Sequence, residues 1–295
     1  MSVPIHGNYH GYYLKRPSVN DPRLGLLPDD TFKSKTVLDI GCNEGWVTCE
    51  IGQSWGAHKV IGVDIDDTLI RAAWKKRQLV WSLQKPQKHS TGAFEGDEGG
   101  NMIKVDHDSD TTTTTTIQDQ ADYFPVSLQH SFGPLPIPPS QIRGKHVFPH
   151  NVSFRTADWT KESIVEDTDG YDVVIAFSIS KWIHVNGGDE GLRAFFQRIH
   201  SVLKPGGVFI LEPQEWDTYK KVRRLNESLK SNILNLKLRP SDFESILGSL
   251  GFGPARHLGP TGEGGKCSDN HCKFLTLDHF FLGFCRMVDL YVKLR

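Results

Sequence analysis

No apolar run in this 295-residue chain approaches the roughly 20 residues that a membrane-spanning helix needs. The amino-terminal stretch MSVPIHGNYHGYYLKR lacks the apolar centre of a secretory leader. Its five cysteines, Cys42, Cys49, Cys267, Cys272 and Cys285, are odd in number and have no framework spacing. That argues against a disulfide-stapled scaffold and suits a reducing compartment. Cys267, His271 and Cys272 have no second Cys/His pair at finger spacing, so no metal is expected. Charge of either sign is not in excess: the net value is −1, and moderate apolar content supports an ordinary packed core. The most informative absence is one glycine. A dinucleotide-binding loop needs G-x-G-x-x-G so that a pyrophosphate can sit on a helix N-terminus. Here the second glycine position is Asn43.

What is present is TVLDIGCNEG, Thr36 to Gly45, and VIGVDID, Val60 to Asp66. The first apolar run ends in Asp39 and a turn, Gly41-Cys42-Asn43, closed by Gly45. The second ends in Asp64, followed by Ile65. Glycines let a backbone approach a ligand without Cβ clashes. An acid at the end of the second strand accepts hydrogen bonds from ribose hydroxyls. D-x-G-x-x-x-G therefore points to a nucleoside cofactor without a phosphate, of which S-adenosylmethionine is the common case.

Strand patterns at Thr36–Asp39, Lys59–Asp64, Val152–Thr156, Tyr171–Phe177 and Gly207–Leu211 alternate with helix patterns. The helices are expected at Trp46–Ser54, Thr68–Gln84, Asp189–Leu203 and Pro240–Leu250. This rhythm predicts a parallel sheet covered on both faces. It breaks over residues 85–149, which carry six consecutive threonines, Thr111–Thr116, and the piece FGPLPIPP. That composition predicts a largely disordered insertion. A second insertion is expected over residues 259–283, inside a C-terminal hairpin.

Ligands bind at the carboxyl edge of such sheets, where four segments should meet. These are the glycine loop with Asp39 behind it, Asp64, Ala157-Asp158-Trp159, and FSISKWIH from Phe177 to His184. Asp158 and Trp159 can hydrogen-bond and pack an adenine. Lys181 and His184 are three apart, so one helical turn puts them on one side. Ahead of the first strand, Tyr9, Tyr12 and Tyr13 alternate with His10, Lys15 and Arg16, and Arg23 follows. Such interleaving suits stacked bases and charged phosphates. Tyr219 to Arg239 holds seven basic residues, among them Lys220, Lys221, Arg223 and Arg224, against the single acid Glu227. A solvated helix face would explain them. A contact to a phosphate backbone explains them better, because they follow a strand that should end at the site.

The segments GNYHGYYLKRPSVNDPRL, VLDIGCNEGWVT, GVDID, FPHNVSF, SKWIHVNGGDEGL, LKPGG, LEPQEW and RMVDLYV occur in that order. Together they resemble the bicoid-interacting protein 3 family, on both flanks of residues 85–149 and over nearly all the remainder. The resemblance implies an α/β, Rossmann-like class I S-adenosylmethionine-dependent methyltransferase with a mostly parallel seven-stranded sheet. One domain would cover residues 1–295, with residues 1–35 as a substrate and cofactor arm. The implied reaction methylates a terminal phosphate oxygen at an RNA 5′ end. In the capping branch it is the γ-phosphate of small nuclear RNAs of the 7SK and U6 type; a sister branch takes 5′-monophosphates. Tyr12-Tyr13 and Lys15-Arg16 look like the capping branch.

Carried over by position, Tyr13, Arg23, the Gly41 loop, Asp64, Asp158 and Phe177 match cofactor-binding positions. Tyr12, Arg16, Lys181 and His184 match positions facing the RNA end, with Lys15 and Trp182 on the RNA side. Asp158 departs from the asparagine that relatives often carry. The resemblance further implies a nuclear protein working in an RNA particle, with La-related and Lsm-type proteins as partners and no DNA or membrane. Two other classes stay open: a methyltransferase for small molecules or proteins on the same fold, and an RNA-particle binding protein, for small nuclear or telomerase RNA, with secondary catalysis.

Overall fold

The computed structural model describes residues 4–13, 20–83, 126–260 and 286–294. The first half of the core is β1 (Thr36–Ile40), α1 (Trp46–Ser54), β2 (Lys59–Asp64) and α2 (Asp67–Ser82). Short helices α3 (Val126–Phe132) and α4 (Ser140–Arg143) precede β3 (Val152–Thr156) and β4 (Tyr171–Phe177). Then come α5 (Ser180–Val202), β5 (Leu203–Glu212), α6 (Asp217–Val222), α7 (Glu227–Asn235) and α8 (Phe243–Ser249). A hairpin of β6 (Arg256–Pro260) and β7 (Met287–Val292) completes the sheet.

The seven strands lie in the order β3-β2-β1-β4-β5-β7-β6. β1 to β5 run parallel, and β7 is antiparallel to both β5 and β6. This is the Rossmann-like, class I arrangement expected from the sequence. The buried side chains alternate with period two and build a core on each face. Val37, Val173, Ile175 and Ile210 pack with α1 and α2 residues such as Ile51 and Ile70. Leu38, Val174, Ala176 and Phe209 pack with Phe195 and Phe196 of α5 and Phe243 of α8. A third cluster joins Trp182 and Val185 of α5 to Tyr219, Leu229 and Ile233 of α6 and α7.

Two expectations are revised. The helix expected from Asp189 does begin there, after a break at Gly188 with φ 69° and ψ −172°, but a further helical stretch from Ser180 precedes it within α5. Glycine tolerates the backbone of that break. The other correction is the end of the first insertion. From Leu135 the chain is held against the end of α2. Leu135 N–H donates to Ser82 Oγ at 2.7 Å, Trp81 Nε1 donates to the Pro136 carbonyl at 3.2 Å, and the Arg143 guanidinium lies 4.2 Å from the Trp81 ring centre. Phe148 is buried in the core. Composition hides this cover because backbone groups and a guanidinium make it, not an apolar run. Residues 85–125 and 261–283, the remainder of both expected insertions, lie outside the described residues.

Candidate active site

Parallel strands deliver their carboxyl ends to one edge, and a cavity of about 390 Å³ opens there. Of the expected residues, Gly41, Asn43, Asp64, Ile65, Asp158, Trp159 and Trp182 line it. The turn after β1 is held in left-handed backbone at Gly41 (φ 76°) and Asn43 (φ 52°). That geometry turns the Asn43 N–H onto Asp64 Oδ2 at 2.9 Å, while Asp66 N–H binds Asp64 Oδ1 at 3.0 Å. Burial pushes the Asp64 carboxyl up from its ordinary value, against the downward pull of those N–H groups. Asp66 caps α2. Burial pulls its pKa upward, but hydrogen bonds from Thr68 and Asn8 outweigh it and hold the value at about 2.

Asp39, at the end of β1, and Cys42 and Gly45 of the loop itself do not line the cavity. Asp39 is buried and accepts from Thr48 Oγ1 at 2.6 Å; burial pushes its carboxyl up to about 6. A Cβ on Gly45 would sit 2.7 Å from the Phe154 ring, so this glycine serves helix-to-strand packing. A Cβ on Gly41 would meet Ile179 Cγ2 at 2.3 Å, a side chain that itself lines the cavity. Gly41→Val therefore disturbs the start of α5 before it fills any ligand space. We expect it to lower the melting temperature along with ligand affinity, by about 1–3 kcal/mol of overpacking and backbone strain. Thermal denaturation without ligand checks this.

The amino-terminal arm crosses the cavity, which the sequence did not reveal at its first residues. His6, Gly7 and Asn8 line it. Asn8 Nδ2 donates to Asp66 at 2.8 Å, Asn43 Nδ2 donates to the Tyr9 carbonyl at 3.1 Å, and Gly11 N–H donates to Glu44 at 3.1 Å. The only available signal was the small pair Gly7-Asn8 beside the tyrosines. The side-chain oxygens of Asn8 and Asn43 are buried without a hydrogen-bond partner in the protein. Buried orphan acceptors carry a desolvation cost that a ligand donor would relieve. With the Asp64 carboxylate they offer a nucleoside three acceptors, and the site fits that group.

Tyr13, Arg23 and Phe177 come together beside the cavity, not in its lining. Arg23 is buried, binds Asp21 at 2.6 Å and Glu212 at 2.9 Å, and lies 4.4 Å from the Phe177 ring centre. Its Nη2 donates to the Tyr13 hydroxyl at 3.3 Å. Ser178 joins this cluster to the cavity it lines. Its hydroxyl donates to Glu212 and accepts from Tyr12 at 3.3 Å and from Arg286 at 2.7 Å.

Lys181 and His184 both turn toward α6, as their spacing implied, but into different surroundings. Lys181 Nζ reaches Thr218 Oγ1 at 3.4 Å. Burial, then the charges of Arg286 and Lys221, push its ammonium down to about 8. His184 is fully enclosed. Its Nε2–H donates to Asp189 at 2.9 Å and its Nδ1 accepts from the Tyr219 hydroxyl at 3.2 Å, with Phe243 against the ring. Burial pulls its pKa below the ordinary value, so the neutral tautomer fits both bonds. Asp189 in turn accepts from the N–H groups of Lys237 and Leu238. His184 thus has no ring atom toward the cavity; it fixes the chain beyond α7.

Asp158 is bound to Lys161 at 2.8 Å and to Thr160 Oγ1 at 2.5 Å at the cavity rim. Trp159 is anchored by Nε1 to Asp167 at 3.2 Å and edge-on to Phe195. Lys220, Lys221, Arg223 and Arg224 are exposed on and after α6, and Lys220 pairs with Asp217. Lys15, Arg16, Cys267, His271, Cys272 and Cys285 lie outside the described residues.

Known proteins share much of this chain. A family model described as bicoid-interacting protein 3 matches residues 171–276. Over 254 residues the chain is 38% identical to a 7SK snRNA methylphosphate capping enzyme of Homo sapiens, covering 84% of this chain and 35% of that protein. It is 32% identical over 249 residues to a probable RNA methyltransferase of Arabidopsis thaliana, covering 83% and 70%. It is 28% identical over 295 residues to the U6 snRNA methylphosphate capping enzyme Amus of Drosophila melanogaster, covering 98% and 74%. The chain spans little more than a third of the length of its mammalian relatives.

Proposed function

Because this chain belongs to the bicoid-interacting protein 3 family, we propose that it is an S-adenosylmethionine-dependent RNA methyltransferase acting on the γ-phosphate of a 5′-triphosphate small non-coding RNA. The relatives' names, for 7SK and U6 snRNA, suggest the substrate type. One observation carries the reading: Ser178 lines the nucleoside-type cavity and bonds Tyr12 and Arg286 on the side of Lys181, so cofactor and acceptor corners share one residue.

Asp64, Asn43 and Asn8 would hold the nucleoside, with Ile65 and Trp159 against its base. Asp39, Tyr13, Arg23, Gly45 and Phe177 support that site from behind. The bound cofactor supplies an electrophilic methyl group on a sulfonium. A γ-phosphate oxygen is already anionic at neutral pH, so the protein need not remove a proton and no metal is required. The protein's task is alignment, whose value can reach about 7–11 kcal/mol for well-oriented reactants. Lys181 and Tyr12, with Arg16, orient the phosphate oxygens that do not react. Trp182 and Lys15 border the RNA end.

The exposed cations of α6 continue this charge away from the cavity, where they meet the RNA backbone. Changing Lys220, Lys221, Arg223 and Arg224 to alanine should flatten the salt dependence of RNA affinity by roughly two to three log units per log of salt, about 0.7 for each phosphate that is no longer neutralised. Cofactor affinity should stay the same. Filter binding across a salt series checks both, and a parallel loss of cofactor affinity would make the segment structural.

We further read residues 1–295 as one methyltransferase domain, and place the protein in a nuclear RNA particle with La-related and Lsm-type partners. The deciding assay is radiolabelled methyl transfer to triphosphate, monophosphate and hydroxyl 5′ ends of one RNA. Labelling of the triphosphate is expected. Preference for the monophosphate moves the chain to the sister reaction, and labelling of the hydroxyl RNA rejects phosphate methylation.

A further inference from the structure

Lys181 is useful to an acceptor only if the first turn of α5 presents it correctly, and the sequence offers no reason for that turn to be rigid. α5 starts without a side-chain cap of its own. Two residues before it, at the corner, Ser178 has φ 60°, the left-handed region that is costly outside glycine. A strained corner of this kind persists only where its surroundings over-determine it.

Glu212, Tyr12 and Arg286 hold the Ser178 hydroxyl, and one further side chain ties its carbonyl to the helix. Gln214 follows β5 and is 2% exposed. Its Nε2 donates to the Ser178 carbonyl. Its Oε1 accepts from the Lys181 N–H at 3.0 Å and from Ser180 Oγ at 3.2 Å. The amide therefore bridges the last strained residue of the β4–α5 corner and the first orphan donors of the helix, which is the work a capping residue does locally. Neither an apolar side chain nor a carboxylate can repeat it, because one face must donate and the other accept.

Resting on the proposed acceptor role of Lys181, we propose that Gln214 is a positioning residue. It sets the β4–α5 corner so that Lys181 meets the acceptor phosphate while Ser178 and Ile179 keep their place in the cavity wall. It touches neither cofactor nor RNA. The groups facing Lys181 are Thr218 and Lys221 of the α6 side, Arg286 ahead of β7 and the Trp182 ring of α5 itself.

The test compares three purified variants of the full chain, Gln214→Met, Gln214→Glu and Lys181→Ala. Each is assayed for S-adenosylhomocysteine affinity by calorimetry and for methyl transfer to triphosphate RNA across pH. Gln214→Met should lower kcat by a factor of about 10², the scale of a displacement near 1 Å. Its cofactor-product affinity should stay within about threefold, and its alkaline inflection should move up as Lys181 gains water. Gln214→Glu can donate to the Ser178 carbonyl only when protonated. Its rate relative to the parent should fall as pH rises through the titration of that buried carboxyl, a signature that simple loss of packing does not give. Should Gln214→Met fail to fold, this pH dependence decides alone. A Gln214→Met rate within threefold of the parent, or a pH-independent deficit in Gln214→Glu, overturns the positioning role. A normal rate in Lys181→Ala would instead overturn the reading of the acceptor site.

Discussion

Lys181→Met is expected to make the protein more stable and nearly inactive. The two effects have one origin. Lys181 is 8% exposed, with a hydroxyl and like charges near its ammonium, and burial pushes its pKa down to about 8 from an ordinary 10.5. Between those values the unfolded chain binds more protons than the folded one, so this group makes stability rise with pH over that window. Below about 8 the cost of the buried charge is fully present. Methionine removes it, and the melting temperature at pH 7 should rise by a few degrees, on the order of 1 kcal/mol. The rise should vanish toward pH 10. Methyl transfer should fall by a factor of about 10² or more, the range for removing one preorganised donor to developing or resident oxyanion charge. S-adenosylhomocysteine affinity should hold within about threefold. In the parent enzyme the rate should decline as pH passes about 8 and the ammonium is lost. A variant that is both more stable and fully active would mean that Lys181 never meets the acceptor.

Asp64→Ala should have the largest effect on cofactor binding. The carboxylate organises its own loop, through the Asn43 and Asp66 N–H groups, and keeps lone pairs for a ligand diol. Alanine removes those acceptors and orphans two part-buried N–H groups. A loss of about 3 kcal/mol, or roughly 100-fold in affinity, is expected from charged hydrogen bonds of this kind. Asp64→Asn should fall between, since its amide can accept on one side but must present N–H to N–H on the other. Burial raises the Asp64 pKa, so affinity should weaken with acidification sooner than an exposed aspartate would allow. Calorimetry on folded variants at two pH values measures both. Unchanged affinity in Asp64→Ala would remove the nucleoside from this cavity.

The strands were readable because short runs rich in β-branched and aromatic residues are bounded by polar and turn-forming residues. Lys59–Asp64, Val152–Thr156 and Tyr171–Phe177 are recovered with their ends. Asp64 and the Gly41 turn were readable for the same reason: backbone geometry confines their residue types. Other parts depended on distant neighbours. The spacing of Lys181 and His184 gave a shared side correctly. It said nothing of Tyr219 and Phe243, which enclose the histidine from other elements. Gln214 stands in a loop with no periodicity, and its importance comes from a corner formed by a different strand. His6, Gly7 and Asn8 matter because the arm folds back over Asp66 and Asn43, a path that composition does not encode.

The β6–β7 pairing brings Pro260 opposite Met287. Because β7 runs against the other strands, both ends of the segment between them emerge at the edge that holds Ser178 and Lys181. The pairing itself is carried by Arg256, His257 and Pro260 against β7. A change of length between the two strands would therefore be felt first at the proposed acceptor edge, before it reached the sheet.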